Sequence, residues 1–185
     1  MDASHRIIDS PIGPLTLVGE GDALTGVYFP DHWTRPDPGA WGSPAAPGAA
    51  VFADAERQLG EYFAGRRRQF ELELRLDGTP FQREVWSRLA AIPHGATTTY
   101  RELALALQRP GHARAVGAAV RTNPISVIVP CHRVLGSSGA LTGYAGGLRR
   151  KAFLLSHERA CADPWRDAVR DPVHSGSQKP ANSGF

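Results

Sequence analysis

Cys131 and His132 are the adjacent residues in this chain with the most reactive chemistry between them. A thiol attacks as its thiolate, and an unperturbed cysteine is mostly protonated at neutral pH. A neighbouring imidazole that accepts the proton removes that barrier. Neighbouring side chains on a strand point to opposite faces, which would hold the two apart. Pro130 precedes them, however, and forces a turn, so a contact, directly or through a water, becomes feasible. A random Cys-His pair is more often a structural thiol beside a surface imidazole. This one ends the apolar run Ile125 to Val129, read as a buried strand. It is followed by Arg133-Val134 and the small-residue stretch Gly136-Ser137-Ser138-Gly139. That setting presents a reactive group.

A base of this kind is usually oriented by a third group. Glu158 is the candidate. On a last helix spanning 148–159 it lies one turn after Leu154 and Leu155, so it shares their inward face. An inward carboxylate needs a partner, and an imidazole serves. The competing reading is a frayed helix end with Glu158 in water.

The remaining elements must position these groups. Ile7-Ile8, Leu15 to Val18 and Leu24 to Phe29 read as three strands, the first two separated by the turn Ser10-Pro11-Ile12-Gly13. Residues 30–50, rich in Pro, Gly and Ala, read as a long surface loop. Phe52, Ala55, Leu59 and Phe63 recur at helical spacing, and Gly65 ends that helix. Phe70 to Leu76 alternates apolar and charged residues as a half-buried strand would. Asp77-Gly78-Thr79-Pro80 reads as a linker.

The second half reads as mostly helix. Phe81, Val85, Trp86 and Leu89 share a face over 80–91. Thr99 and Glu102 form a capping-box pattern opening a helix to about Leu107. After the turn Gln108 to Gly111, another helix runs from about His112 to Arg121, giving a helix-turn-helix outline. Ala113, Val116 and Val120 form its core face. Arg114, Ala118 and Arg121 form a basic face lined by small side chains, able to approach a phosphate backbone closely or simply to face water. Asn123-Pro124 breaks the helix.

The bulk properties narrow the class. The chain has 185 residues, 42% hydrophobic and 21% charged, with a formal net charge of +3. Its isoelectric point of about 9.2 permits a nucleic-acid partner without requiring one. No apolar run approaches the ~20 residues of a membrane span, and MDASHRIIDS has no secretory apolar stretch. The expected location is the cytoplasm. Two cysteines, Cys131 and Cys161, without a C-x-x-C, argue against a zinc site or a disulfide framework.

Pro130-Cys131-His132-Arg133-Val134 resembles the active-site signature of the 6-O-alkylguanine-DNA alkyltransferases, or methylated-DNA–protein-cysteine methyltransferases. Arg114-Ala115-Val116-Gly117, Arg121-Thr122-Asn123-Pro124 and Gly143-Tyr144-Ala145-Gly146-Gly147-Leu148 extend the resemblance over roughly residues 79–158. The first half resembles the family's smaller domain more weakly, through Ser10-Pro11-Ile12-Gly13. The resemblance implies an α/β N-terminal domain over 1–78, a small antiparallel sheet plus helix of ribonuclease-H-like kind. A mostly α C-terminal domain with a winged helix-turn-helix follows over 79–160, and the polar tail 161–185 is expected to be disordered.

The resemblance also implies a single-turnover reaction on double-stranded DNA carrying alkylated bases. The alkyl group on the 6-oxygen of a flipped guanine, or the 4-oxygen of thymine, passes irreversibly to Cys131. No cofactor or metal takes part, and a monomer is expected. His132 would deprotonate Cys131 through a water and Glu158 would orient His132. Tyr100 would touch the phosphate beside the target and assist protonation of the leaving guanine. Arg114 would fill the space of the flipped nucleotide, on the DNA-binding face it shares with Ala118 and Arg121. Asn123 would be the hinge between the recognition helix and the active-site strand. Val134 would offer its carbonyl to the guanine amino group, Tyr144 would wall the pocket, and the backbone near Ala145 would bind the guanine oxygen. Ala145 stands where some relatives have serine, and Ser126 where some have proline, a position tied to tolerance of bulky alkyl groups. The zinc ligands of some members are not evident.

Three other readings remain open on the residues themselves. A cysteine hydrolase could use Cys131, His132 and Glu158, but leaves the basic helix without a purpose. A lesion-recognition module without transfer would lack the cysteine. A winged-helix regulator would not need Pro130-Cys131-His132.

Overall fold

The computed structural model describes residues 3–32 and 36–162. Three strands, β1 (Ala3–Ile8), β2 (Leu15–Glu20) and β3 (Ala23–Tyr28), form an antiparallel meander at the expected places. The Ser10 to Gly13 turn is closed by the Gly13 amide on the Ser10 carbonyl at 3.0 Å. The 30–50 segment is not simply a surface loop. It carries a 3-10 turn at Pro38–Trp41 that buries Trp41, and a short strand β4 (Ser43–Pro44) that pairs parallel with β1. The sheet is therefore mixed rather than antiparallel throughout, in the order β3-β2-β1-β4.

Helix α1 (Ala50–Phe63) packs on this sheet through Phe52, Ala55 and Leu59. Its last inward residue is Tyr62, which is fully buried, while Phe63 is half-buried. Residues three and four after Leu59 were equally open to that role, and the aromatic cluster of Tyr62 with Phe70, His94 and His157 decides it. Phe70 to Leu76 is extended but is not a full strand. A single bridge joins Leu74 to Leu24, with the Leu24 amide on the Glu73 carbonyl and the Arg75 amide on the Leu24 carbonyl.

The second half is helical. Thr79 and Gln82 form a capping box that opens α2 (Pro80–Ala90), and Thr99 and Glu102 form another that opens α3 (Tyr100–Ala106). Helix α4 (Ala113–Arg121) completes the helix-turn-helix, packed against α2 and α3. Val116 and Val120 are buried as expected, Ala119 rather than the half-buried Ala113 completes that face, and Arg114, Ala118 and Arg121 are exposed. A two-residue parallel ladder joins β5 (Thr98–Thr99) to β6 (Val134–Leu135) and so ties the start of α3 to the segment after Cys131. The last helix, α5 (Leu148–Ala162), runs three residues past the expected end. It takes in Cys161, which the sequence reading assigned to the tail. Residues 163–185 of that tail lie outside the described residues.

The two halves form a small-sheet N-terminal domain and a helical C-terminal domain, and their apolar residues share one core. No helix among the described residues is long and apolar enough to cross a membrane.

Candidate active site

Ile125 to Val129 is not a strand. One bridge links Ile125 to Val27 of β3, and the rest turns tightly. The reason lies in Asn123 and Pro124. Proline removes a ladder donor. The Asn123 side chain then takes the place of a partner strand, donating to the Val129 carbonyl at 2.8 Å and accepting from the Ile125 amide at 3.1 Å. Strand β3 grips the same segment: the Val27 amide donates to the Pro124 carbonyl at 2.9 Å and the Ser126 amide to the Val27 carbonyl at 3.2 Å. Val127 is forced to a φ of +72°, a left-handed conformation that a β-branched residue adopts only under constraint.

This turn delivers Cys131 and His132 together into one 3-10 turn, Cys131–Arg133. Cys131 is buried. Burial pushes its thiol pKa up, opposed by the Asn123 side chain and the positive charge of Lys151. His132 is wholly buried, which lowers its imidazole pKa below 6.5 against the pull of Glu158. Both groups therefore rest neutral, as a thiol beside an unprotonated imidazole.

The orientation of that imidazole is fixed. Nε2 of His132 lies 2.8 Å from Oε1 of Glu158. A carboxylate only accepts, so the proton resides on Nε2 and Nδ1 keeps the lone pair. Nδ1 is buried with no hydrogen-bond partner among the described residues, and so is the hydroxyl of Tyr144, whose ring centroid stands 6.4 Å from that of His132. Glu158 is itself buried and heavily coordinated. Arg133 donates to it through Nε and a terminal nitrogen, Tyr62 through its hydroxyl at 2.9 Å, and the Gly95 amide at 3.0 Å. Burial alone would raise its pKa, but the donors from His132 and Arg133 hold the carboxyl well below the usual range.

Lys151 of α5 is also buried. Its Nζ donates to the Val134 carbonyl at 2.5 Å and the Thr142 carbonyl at 2.6 Å. Burial brings its pKa down to about 8. Ser126 is buried, with its hydroxyl 3.2 Å from Nε2 of His32. Ala145 is buried beside Gly146, whose absent side chain leaves room for the Phe29 ring.

An open groove of about 910 Å³ runs along α3 and α4. Tyr100, Arg101, Arg114, Ala118 and Arg121 line it. The Tyr100 hydroxyl donates towards the Gly143 carbonyl at 3.1 Å and the Thr142 carbonyl at 3.2 Å. The expected site residues thus fall into two groups. Tyr100, Arg114, Ala118 and Arg121 share the groove. Cys131, His132, Glu158, Asn123, Val134, Tyr144 and Ala145 are buried in the core of the C-terminal half.

Two family models cover nearly the whole of the described chain. One, 6-O-methylguanine DNA methyltransferase, ribonuclease-like domain, matches residues 4–76. The other, 6-O-methylguanine DNA methyltransferase, DNA binding domain, matches residues 80–160. The chain belongs to the 6-O-methylguanine DNA methyltransferase family.

Relatives in this methyltransferase family agree. The methylated-DNA–protein-cysteine methyltransferase of Mycobacterium tuberculosis is 51% identical over 166 residues, spanning 85% of this chain and 93% of the relative. That of Methanosarcina acetivorans is 44% identical over 166 residues, 85% of this chain and 99% of the relative. Among solved structures, the Mycobacterium tuberculosis O6-methylguanine methyltransferase superposes with a TM-score of 0.80 at 47% identity, covering 90% of this chain and 99% of the other. The Mycobacterium tuberculosis OGT solved in complex with DNA gives 0.78 at 48%, covering 87% and 96%.

Several residues of this candidate site are not marked by the sequence alone. Lys151 sits three and four residues before Leu154 and Leu155, the same phase that marked Glu158, so that signal was present. Arg133 read as a basic residue in a motif, and nothing local marks it as the buried counterion of a residue 25 positions on. Tyr62 read as part of a helix with a core face.

Proposed function

We propose that this protein repairs double-stranded DNA by moving an alkyl group from the 6-oxygen of guanine onto its own Cys131. The 4-oxygen of thymine is a second candidate substrate. The observation that carries the reading is the His132–Glu158 hydrogen bond, which leaves the Nδ1 lone pair of a buried, neutral imidazole in the same turn as the thiol. Nδ1 takes the thiol proton through a water. Sγ then bonds to the alkyl carbon as the bond from that carbon to the guanine oxygen breaks, and the electron pair leaves on the guanine. The leaving base takes up a proton with help from Tyr100, and His132 sheds its own.

The product is a thioether. It has no carbonyl for water to attack, unlike the acyl intermediate of a cysteine hydrolase. The transfer is therefore a single turnover, and no cofactor takes part. The groove of Tyr100, Arg114, Ala118 and Arg121 receives the DNA, with cationic side chains on the phosphates and small ones permitting close approach. The thiol is buried, so the damaged nucleotide must leave the stack, at a cost of a few kcal/mol. Arg114 fills its place. Val134 accepts the guanine amino group on the lone pair that Lys151 does not use. Tyr144 walls the pocket, the Ala145 backbone binds the guanine oxygen, and Asn123 holds the turn between recognition helix and thiol.

We place the domain boundary at residues 78 and 79, and the second domain's end near 160. The protein acts as a monomer in the cytoplasm. The reading is tested by stoichiometry. With a tenfold excess of methylated duplex, removal should stop at one methyl per protein. Continued turnover would be incompatible with it.

A further inference from the structure

The ribonuclease-like half contributes a polar atom directly to the network around His132. Tyr62, at the end of α1, donates its hydroxyl to Oε1 of Glu158 at 2.9 Å, and both side chains are buried. That is the oxygen that holds Nε2 of His132 at 2.8 Å. Tyr62 and His132 thus compete for the same acceptor. We propose that Tyr62 is a positioning residue which, through Glu158, sets the basicity of His132 and so the pH range in which Cys131 is alkylated. The proposal rests on the reading of His132 as the base.

A carboxylate oxygen that accepts several donors carries less charge towards each. Oε1 of Glu158 already accepts from Arg133, at 2.8 Å from the terminal nitrogen and 3.2 Å from Nε. Tyr62 withdraws more of its negative charge. Without that donor, Glu158 would pull harder on the Nε2 proton and stabilise the imidazolium. An imidazolium cannot accept the thiol proton, so transfer would fail at higher pH than in the wild type.

Other charges face the same pair. Arg133 and Lys151 lower the His132 pKa, as does its burial, while Glu158 raises it. Tyr144 and Cys131 flank it in the C-terminal half, and both couple to the titration of their neighbours. His94, on the loop after α2, senses Glu158 and Arg133. Cys161, one turn beyond Glu158, adds a small upward push to the Tyr62 pKa. None of these except Arg133 shares Oε1 with His132. Tyr62 is a neutral donor held above its ordinary pKa by burial and by Glu158, so it keeps its proton throughout the working range.

The test uses the whole chain with methylated duplex DNA. Single-turnover transfer rates are measured against pH, and the His132 ring is titrated by nitrogen NMR, a readout that needs no transfer. In Tyr62→Phe the acidic limb and the NMR midpoint should both rise, by about half a pH unit. Replacing Tyr62 with 3-fluorotyrosine keeps the ring packing and strengthens the donor, and should move both downwards. A rate lowered equally at every pH, with the midpoint unmoved, would overturn the proposal and leave Tyr62 a packing residue. If the midpoint moves while the pH profile stays put, the reading of His132 as the base fails instead. Should Tyr62→Phe not fold, the fluorinated protein decides alone.

Discussion

The side-chain amide of Asn123 reaches across the turn to the Val129 carbonyl at 2.8 Å, while its oxygen accepts the Ile125 amide. One residue thereby satisfies two buried backbone groups that a neighbouring strand would otherwise satisfy. It also borders the thiol of Cys131 and lowers that thiol's pKa against the effect of burial. Asn123→Ala should leave the Ile125 amide unpaired, leave the Val129 carbonyl with the Cys131 amide alone, and release the strain at Val127. A loss of about 2–4 kcal/mol is expected in urea unfolding. Transfer should slow more than stability alone explains, and equal stability with full activity would contradict this role.

Glu158 governs stability at low pH. Its carboxyl is depressed in the folded protein, so the stabilisation is present above the unfolded value of roughly 4.3 and is lost as pH falls towards the folded one. His132 acts in the same direction. Its folded pKa lies below 6.5, so the unfolded chain takes up a proton first and stability drops as pH falls below that value. Unfolding free energy should therefore decline from about pH 6.5 downwards and steepen below about pH 4. Glu158→Gln should flatten the lower part and cost about 3–5 kcal/mol at neutral pH, because Arg133 is left as a buried charge without its counterion. It should also slow transfer by roughly a hundredfold or more, the scale of a misplaced general base.

Arg114 is exposed on α4 and faces the groove. Arg114→Ala should slow repair in duplex DNA by on the order of tenfold or more, as expected if it offsets the cost of extrusion. Its reaction with the free methylated base should be nearly unchanged. Equal losses on the two substrates would remove Arg114 from that role.

Arg101 and Arg121 line the same groove. If each meets a phosphate, removing either should weaken DNA binding for all sequences alike and lower the salt dependence, with the log–log slope falling by about 0.9 per residue. Fluorescence anisotropy over a salt series measures this directly.

Gly146 belongs to the seam between the halves. A Cβ there would lie 2.4 Å from the Phe29 ring and 2.9 Å from that of Tyr144. Gly146→Ala should cost about 1–3 kcal/mol in denaturant unfolding, the range for overpacking a filled core.

Much of the site was legible because its signals are local. The Pro130 turn, the Cys131-His132 adjacency, the helical phase of Glu158 and the capping box at Thr99 each depend on residues a few positions apart. What escaped depends on distant contacts. Ile125 to Val129 has a strand's composition, and only the Asn123 side chain and the edge of β3 show why it turns. Trp41 is buried in a segment whose proline and glycine content suggested a surface loop, because β4 pairs there with β1. Arg133 and Tyr62 gain their roles from Glu158, which is 25 and 96 positions away. No periodicity in the chain carries that information.

The central claim is that Cys131 keeps the alkyl group. Intact-mass analysis after incubation with duplex DNA bearing one 6-O-methylguanine, followed by peptide mapping, tests it most directly. The protein should gain the mass of one methylene, located on Cys131, with Cys161 unmodified and no gain in Cys131→Ala. Demethylated DNA alongside a protein of unchanged mass, or a methyl group found on another residue, would contradict the account.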